Sequence, residues 1–414
     1  MAGFFAPEIQ TLPREEIRAL QEDRLRALVR RAFDQPVPFF RKKLEEAGLG
    51  PDDVKTLEDL RRVPRTTKQD LRDSEGQHPP LGDYRGSSVS ECVRLSTSTG
   101  TTGRPTITLF TQRDLGAEFD SACRMFTRQG YGPNEIVTHA HPGGLNGGQA
   151  LLGGALEAFG ALNVPVGPPA TREDAERAIR LWQELKPTRY EMFGPALHTF
   201  WETAKEMGLD PQRDLGMRPP HEVPPHRTFS AGLECFAFLG SSCDEFNGAH
   251  ISEDHAIVES VVSTGEAVPE GTRGHLVVTS LTKDNFLLRY DLEELVRIDR
   301  SPCPCGETHM RAWWDGRAQD AVTVRGNAIL PMDVELVLRE HEEVSFPAFE
   351  YQLVRTRDTS ALLLRVEAQH PSDELGAKVT VALSEALGVP VRLELVASGS
   401  LPRPAYKPLR VVDE

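Results

Sequence analysis

Ten residues, Ser96-Thr-Ser-Thr-Gly-Thr-Thr-Gly-Arg-Pro105, hold four threonines, two serines and two glycines. Hydroxyls and backbone N–H groups at that density can wrap phosphate oxygens, and Arg104 can neutralise their charge. Ser98, Thr99, Gly100, Thr101, Thr102, Gly103 and Arg104 are therefore candidate phosphate contacts. No Gly-Lys-Ser/Thr opens a helix here, so the loop is not of the Walker type. A solvated Ser/Thr turn is the plain alternative. A second group has soft donors. Cys243-Asp-Glu-Phe-Asn-Gly-Ala-His250 and Cys303-Pro-Cys305 offer three thiols and one imidazole. That set suits a tetrahedral structural zinc, with His309 as a substitute fourth ligand. The plain alternative is free cysteines in a turn. Cys92, Cys123 and Cys235 read as packed thiols.

The elements that must position these groups alternate in type. Residues 14–48 carry apolar side chains at helical spacing, broken at 34–38. Residues 53–72 read as a short helical connector, and 111–130 as a helix. Strand-like and helical stretches then alternate: strand 137–141, helix 149–159, strand 161–166, helix 173–185, strand 189–193, helix 196–207. That order predicts an α/β fold with a mostly parallel sheet flanked by helices. The Pro-rich stretch 210–228 reads as a loop. Strands are expected at 255–262, 274–280 and 287–298. Residues 321–414 follow the order strand, helix, two strands, helix, strand, a small α+β unit of ferredoxin-like order. The expected division is a large domain over 1–315, a hinge at 316–320 and a small mobile domain over 321–414.

The whole chain has 414 residues, with 47 Lys+Arg against 62 Asp+Glu, a formal charge of −15. Such an acidic chain is poorly suited to holding nucleic acid through its phosphates. No apolar run reaches the roughly 18 residues of a membrane span, and residues 1–8 do not read as a signal peptide. Six cysteines in 414 residues are too sparse for a disulfide scaffold. A cytoplasmic location is expected.

The loop 96–105 resembles the phosphate signature of the adenylate-forming superfamily, with Arg104 in place of the usual lysine. The chain as a whole is similar to phenylacetate–CoA ligase-type enzymes. The likeness runs through Glu8-Ile-Gln-Thr-Leu-Pro-Arg-Glu-Glu16, Val37-Pro-Phe-Phe-Arg41, Leu60-Arg-Arg-Val-Pro-Arg-Thr-Thr-Lys-Gln-Asp-Leu71 and Thr111-Gln-Arg-Asp-Leu115. The resemblance implies a large adenylate-forming domain and a small domain that swings between two half-reactions. It implies that a carboxylic acid joins the α-phosphate of ATP, releasing pyrophosphate, and that a thiol then attacks the acyl adenylate.

Site residues follow from the same resemblance. Ser230-Ala-Gly-Leu-Glu234 ends where the family carries the glutamate that helps hold Mg²⁺ and ATP. Its Tyr and Thr are replaced by Ser230 and Leu233, and an adenine-contacting segment upstream is fused or lost. Leu287-Leu-Arg-Tyr-Asp-Leu-Glu-Glu-Leu295 puts Glu294 where the family's ribose-binding aspartate falls. Gly316-Arg-Ala-Gln-Asp320 followed by Val324-Arg-Gly326 resembles the hinge, with Arg317 as nucleotide contact and Gln319 in place of an aspartate. Lys407, in Leu401-Pro-Arg-Pro-Ala-Tyr-Lys-Pro-Leu-Arg-Val411, matches the adenylation lysine, with Tyr406 in place of glycine. Several relatives carry a similar Cys…His…Cys-Pro-Cys-Gly pattern for metal. The acyl pocket is expected near His139, His141, Gly143, Gly144, Phe193, Gly194 and Phe236. Core packing is the competing role for Phe236, and ordinary strand hydrogen bonding for the two histidines.

The reading is an ATP-dependent ligase acting on a small aromatic carboxylic acid. Its expected cofactors are ATP, Mg²⁺, coenzyme A and a structural Zn²⁺. Transfer to a carrier-protein thiol or an amine is one alternative, and a non-adenylating ligand-binding relative another. Neither nucleic acid nor membrane is an expected partner, and a homodimer is left open.

Overall fold

The structure, a computed structural model, describes residues 3–34, 37–97, 106–192, 194–219, 228–346, 348–402 and 409–414. Ser98, Thr99, Gly100, Thr101, Thr102, Gly103, Arg104, Phe193 and Lys407 lie outside the described residues. The chain divides into two compact units. One comprises residues 1–137, 141–167 and 226–314; the other comprises 138–140, 168–225 and 315–414.

The first unit starts with helices Arg14–Asp34 and Pro38–Glu46. Ile17, Leu25, Leu28, Val29 and Ala32 form the buried stripe of the longer one. Pro38 opens the shorter one, where its missing N–H costs nothing. Phe40 is fully buried and stacks on Phe286, with ring centroids 5.1 Å apart. Strands β1 (Cys92–Thr97) and β2 (Ile107–Thr111) form an antiparallel pair on either side of the phosphate-loop residues. Helix Gln112–Arg128 follows, with a capping box between Thr111 and Asp114. Then come β3 (Ile136–His139), helix Gly147–Phe159 and β4 (Leu162–Pro165).

The main sheet is built from β6 (Thr228–Phe229), β7 (Gly240–Ser242), β8 (Ala249–Ile251), β9 (Ala256–Val261), β10 (Gly274–Ser280), β11 (Tyr290–Asp299) and β12 (Arg311–Arg317). The order is β6-β7-β8-β12-β11-β10-β9. The α/β class stands, but the pairing sense differs from the expectation of a mostly parallel sheet. The pairs β6–β7, β7–β8, β8–β12, β11–β10 and β10–β9 are antiparallel. The reason is connection length: a parallel pair needs a crossover of a dozen or so residues, usually a helix. Between β7 and β12 the chain turns back through loops that hold no crossover helix. Strands β7, β8 and β12 escaped the pattern reading. Strands β7 and β8 are built from Gly, Ser, Ala, His and Ile and buried throughout, so they show no polar–apolar alternation.

In the second unit, β5 (Arg189–Glu191) lies between helices Arg172–Leu185 and Gly194–Glu206. Helix Pro211–Leu215 replaces part of the expected loop. Asp210 caps it and Pro211 opens it, but five residues are too few to show a period. Beyond 315, β13 (Val322–Val324) and β14 (Asn327–Ile329) form a hairpin of their own. A separate sheet holds β15 (Tyr351–Arg355), β16 (Leu362–Ala368), β17 (Val391–Ala397) and β18 (Val411–Asp413), in the order β17-β16-β15-β18. The ferredoxin-like order is therefore modified. The first strand belongs to the hairpin, and β18 takes the fourth place, parallel to β15. Helix Asp373–Leu387 makes the crossover from β16 to parallel β17. Tyr351, Leu353, Leu364, Val366, Val379 and Leu383 form this core.

Candidate active site and metal centre

Glu234 sits on a one-turn helix, Gly232–Cys235, with its carboxylate mostly buried. The Tyr290 hydroxyl lies 3.4 Å from Glu234 Oε1, and Lys68 Nζ lies 3.8 Å from the same oxygen. Burial and the nearby Glu234 charge hold the Tyr290 phenol well above its ordinary value. Lys68 and Tyr290 meet because two short segments are stitched together. Thr66 N–H donates to the Arg289 carbonyl, and Asp291 N–H donates to the Thr66 carbonyl, each at 2.8 Å. Thr67 then caps helix Lys68–Gln77, placing Lys68 in its first turn. Sequence reasoning quoted both stretches for their likeness but gave neither Lys68 nor Tyr290 a role. Their signal was proximity across 222 residues, which spacing along the chain does not carry.

Glu294 lies farther along β11, four residues from Tyr290, past a register shift in which Glu293 takes a φ of +60°. Trp314 Nε1 donates to its carboxylate at 3.0 Å. Arg317, in the second unit, ends β12 after Gly316, whose φ of +127° few L side chains adopt. The segment that carries Lys407 has both ends tied to one sheet. Leu401 N–H donates to Glu367 at 2.8 Å on one side. On the other, the Arg410 guanidinium pairs with Glu350 and lies 4.2 Å from the centre of the Tyr351 ring. Breaking such buried pairs typically costs about 3–5 kcal/mol.

Phe236 is fully buried in the main core, with Lys283 Nζ 4.1 Å from its ring centre. His139 is fully buried and His141 half-buried. Gly143 and Gly144 border a groove of about 340 Å³ with Arg94, Gln149, Glu157 and Asn163. Gly194 opens its helix.

Cys243, His250, Cys303 and Cys305 come together, with their donor atoms all within 4.8 Å of one another. Cys243 and Cys303 sulfurs are 3.8 Å apart, and Cys305 Sγ lies 3.3 Å from His250 Nε2. His250 Nδ1 faces the His309 carbonyl at 3.0 Å, which orients Nε2 toward the sulfurs. His309 is not the fourth ligand. Its Nδ1 lies 2.8 Å from the Ile251 carbonyl and its Nε2 3.1 Å from the Ile9 carbonyl. Hydrogen bonding from Cys305 draws Cys243 down to about 3, Cys303 is raised by burial, and Cys305 is raised by its bond to Cys243. A dication at the centre would stabilise all three as thiolates, so the donor set fits a structural zinc. Behind it, the buried Arg128 guanidinium pairs with Glu307 at 2.5 Å. Burial would raise that carboxyl, but Arg128 outweighs it and brings Glu307 down to about 2.

Asp120, Asp254 and His255 also converge. Arg124 bridges both carboxylates at 2.5 and 2.6 Å, and His255 Nε2 lies 2.8 Å from Asp120, so these donors are already engaged with one another and with Arg124.

Residues 326–414 match the model of the AMP-binding enzyme C-terminal domain. A phenylacetate–coenzyme A ligase from Thermus thermophilus is 34% identical over 99% of this chain and 98% of its own length. The chain belongs to the phenylacetate–coenzyme A ligase family. It is thereby an AMP-forming acid–coenzyme A ligase, and the non-adenylating alternative is set aside. The Escherichia coli phenylacetate–coenzyme A ligase is 28% identical over 98% of this chain and 96% of its own. A crystal structure of 2-hydroxyisobutyryl-CoA ligase in the postadenylation state superimposes with a TM-score of 0.88. It is 26% identical and covers 99% of this chain and 92% of its own. The adenylate-forming ligase fold expected from the sequence is thus present. Among the described residues, no helix is long and apolar enough to cross a membrane.

Proposed function

We propose that this ligase activates a small aromatic carboxylic acid with MgATP and transfers the acyl group to coenzyme A. The observation that carries the reading is the full-length likeness to a phenylacetate–coenzyme A ligase. The substrate carboxylate attacks the α-phosphorus of ATP, and the P–O bond to pyrophosphate breaks. The thiol sulfur then attacks the acyl carbon, its proton passes to solvent, and AMP leaves. Lys407 is assigned to bridge the carboxylate and α-phosphate, where a point positive charge offsets charge that develops in the transition state. Residues 98–104 cradle the phosphates, Glu294 takes the ribose, and Arg317 contacts the nucleotide. Glu234 supplies the hard oxygen that Mg²⁺ prefers, and its two neighbours keep the carboxylate oriented. Residues 316–320 form the hinge, with 1–315 and 321–414 as the parts that it joins. Cys243, His250, Cys303 and Cys305 hold a structural zinc, which would staple the loops 243–250 and 303–309 and take no part in the reaction. The pocket for the acid is assigned to His139, His141, Gly143, Gly144, Phe193 and Gly194. The unpaired thiols among the described residues support a reducing, cytoplasmic setting.

The test is a panel of aryl and alkyl acids offered with MgATP and, separately, coenzyme A, a phosphopantetheinyl carrier protein or an amine. Aryl acids giving a coenzyme A thioester and AMP support the reading. Acyl transfer to the carrier protein or the amine alone overturns the assigned acceptor. Turnover of alkyl acids alone overturns the assigned substrate class.

A further inference from the structure

Among the buried charge pairs outside the mechanism, Glu118–Lys283 lies beside the Glu234 turn. Glu118, on helix Gln112–Arg128, is fully buried, and Lys283 is 2% exposed. Lys283 Nζ lies 2.5 Å from Glu118 Oε1. The same carboxylate accepts the backbone N–H of Ala237 at 3.1 Å and of Phe238 at 3.2 Å. The Lys283 ammonium also lies against the Phe236 ring, 4.1 Å from its centre, and 5.4 Å from that of Phe110. Two charges placed in a low-dielectric core are costly and bind their partners strongly, so such a pair fixes geometry closely.

What the pair fixes is the turn after Glu234. Ala231 N–H donates to the Phe236 carbonyl at 2.8 Å, closing residues 231–236 into a ring. Glu234 lies inside that ring, and Glu118 grips the next two backbone N–H groups. Lys283 is itself held from outside. Arg31 donates to its carbonyl at 3.1 Å, and Asp284 N–H donates to Asp114 at 2.5 Å. The Glu234 turn is thus fastened to helix Gln112–Arg128 and to the 283–285 segment through one carboxylate.

We infer that Glu118 and Lys283 are positioning residues that set the Glu234 carboxylate for MgATP. This rests on the assignment of Glu234 to Mg²⁺ and ATP. Neither residue touches the reactants. A neutral or displaced clamp lets the 231–238 turn relax, and the effect reaches the reaction only through Glu234.

The experiment is a double-mutant cycle read by acid-dependent ATP–pyrophosphate exchange, with Mg²⁺ varied and folding followed by thermal melts. The variants are Glu118→Gln, Glu234→Gln and both together. Glu118→Gln is expected to lower exchange about tenfold in the wild-type background and under about twofold in the Glu234→Gln background. Its melting shift should be the same in both. If Glu118→Gln does not fold, Glu118→Gln with Lys283→Met removes both charges and leaves neither buried alone; the same pattern is expected. An equal loss in both backgrounds, or no loss in the wild-type background, overturns the clamp and spares Glu234. A Glu234→Gln variant with wild-type exchange overturns the Glu234 assignment and the clamp with it.

Discussion

The candidate metal-ligand cluster and the candidate nucleotide positions stand in different condition. Cys243, His250, Cys303 and Cys305 converge to within 4.8 Å, each still carrying the residue type its role needs. The candidate nucleotide residues each meet different neighbours. Glu234 sits with Lys68 and Tyr290, Glu294 with Trp314, and Arg317 at a strand end. Several of their motif neighbours are replaced. A four-donor site depends on a few atoms at bonding distance, so one missing donor removes it. A nucleotide site spreads its binding energy over many contacts and tolerates the exchange of individual ones.

The sharpest test of that contrast is Lys407→Ala. A single charge on the transferring phosphate is expected to be worth about 10²–10³-fold in acid-dependent pyrophosphate release. Retention of activity within about twofold would mean that the nucleotide site no longer depends on it. Cys303→Ser should act on the other region alone. Bound zinc by elemental analysis should fall from one per chain to none, with a melting temperature lower by several degrees. Pyrophosphate release per folded molecule should stay unchanged, and a fall of about tenfold or more would merge the two regions. Gly240→Ala probes the same cluster from behind. A Cβ there would lie 3.0 Å from the His250 carbonyl carbon and 3.1 Å from Ile251 Cα, so His250 must shift. Overpacking of this kind costs about 1–3 kcal/mol, and zinc affinity should drop with it. Unchanged zinc retention against a chelator would show that β8 can yield without moving the ligand.

The smallest effect concerns pH. Burial alone would raise the Asp254 carboxyl, but the His255 and Arg124 charges outweigh it and hold it well below the ordinary carboxylate range. A depressed pKa in the folded state gives stability that is present above the unfolded value of about 3.9 and lost as pH falls through the folded one. Urea midpoints of wild type and Asp254→Asn should therefore differ near pH 5 and converge on further acidification. A difference that widens in acid would show that Asp254 is not the charged partner.

Lengths and kinds of most elements were legible, because apolar period and capping residues are local. Helix Asp373–Leu387 and strand Gly274–Ser280 fall where the pattern put them. Strands β7 and β8 were not legible, since full burial leaves no alternation to read. His250 was the expected fourth donor with His309 as its substitute, and both ring nitrogens of His309 face backbone carbonyls instead. Lys68, Tyr290 and the Glu118–Lys283 pair gave no sequence signal at all. Glu118 and Lys283 are 165 residues apart and meet only through packing.

By itself the sequence determined the class of fold, the family and the candidate residues for phosphate, carboxylate and metal. Each of those is written in composition, period or a short motif. Only the tertiary structure decided the antiparallel sense of the main sheet, the fourth member of the metal cluster and the neighbours of Glu234. Those depend on which distant segments share a hydrogen bond or a buried charge, and burial selects such partners in space, whatever their separation along the chain.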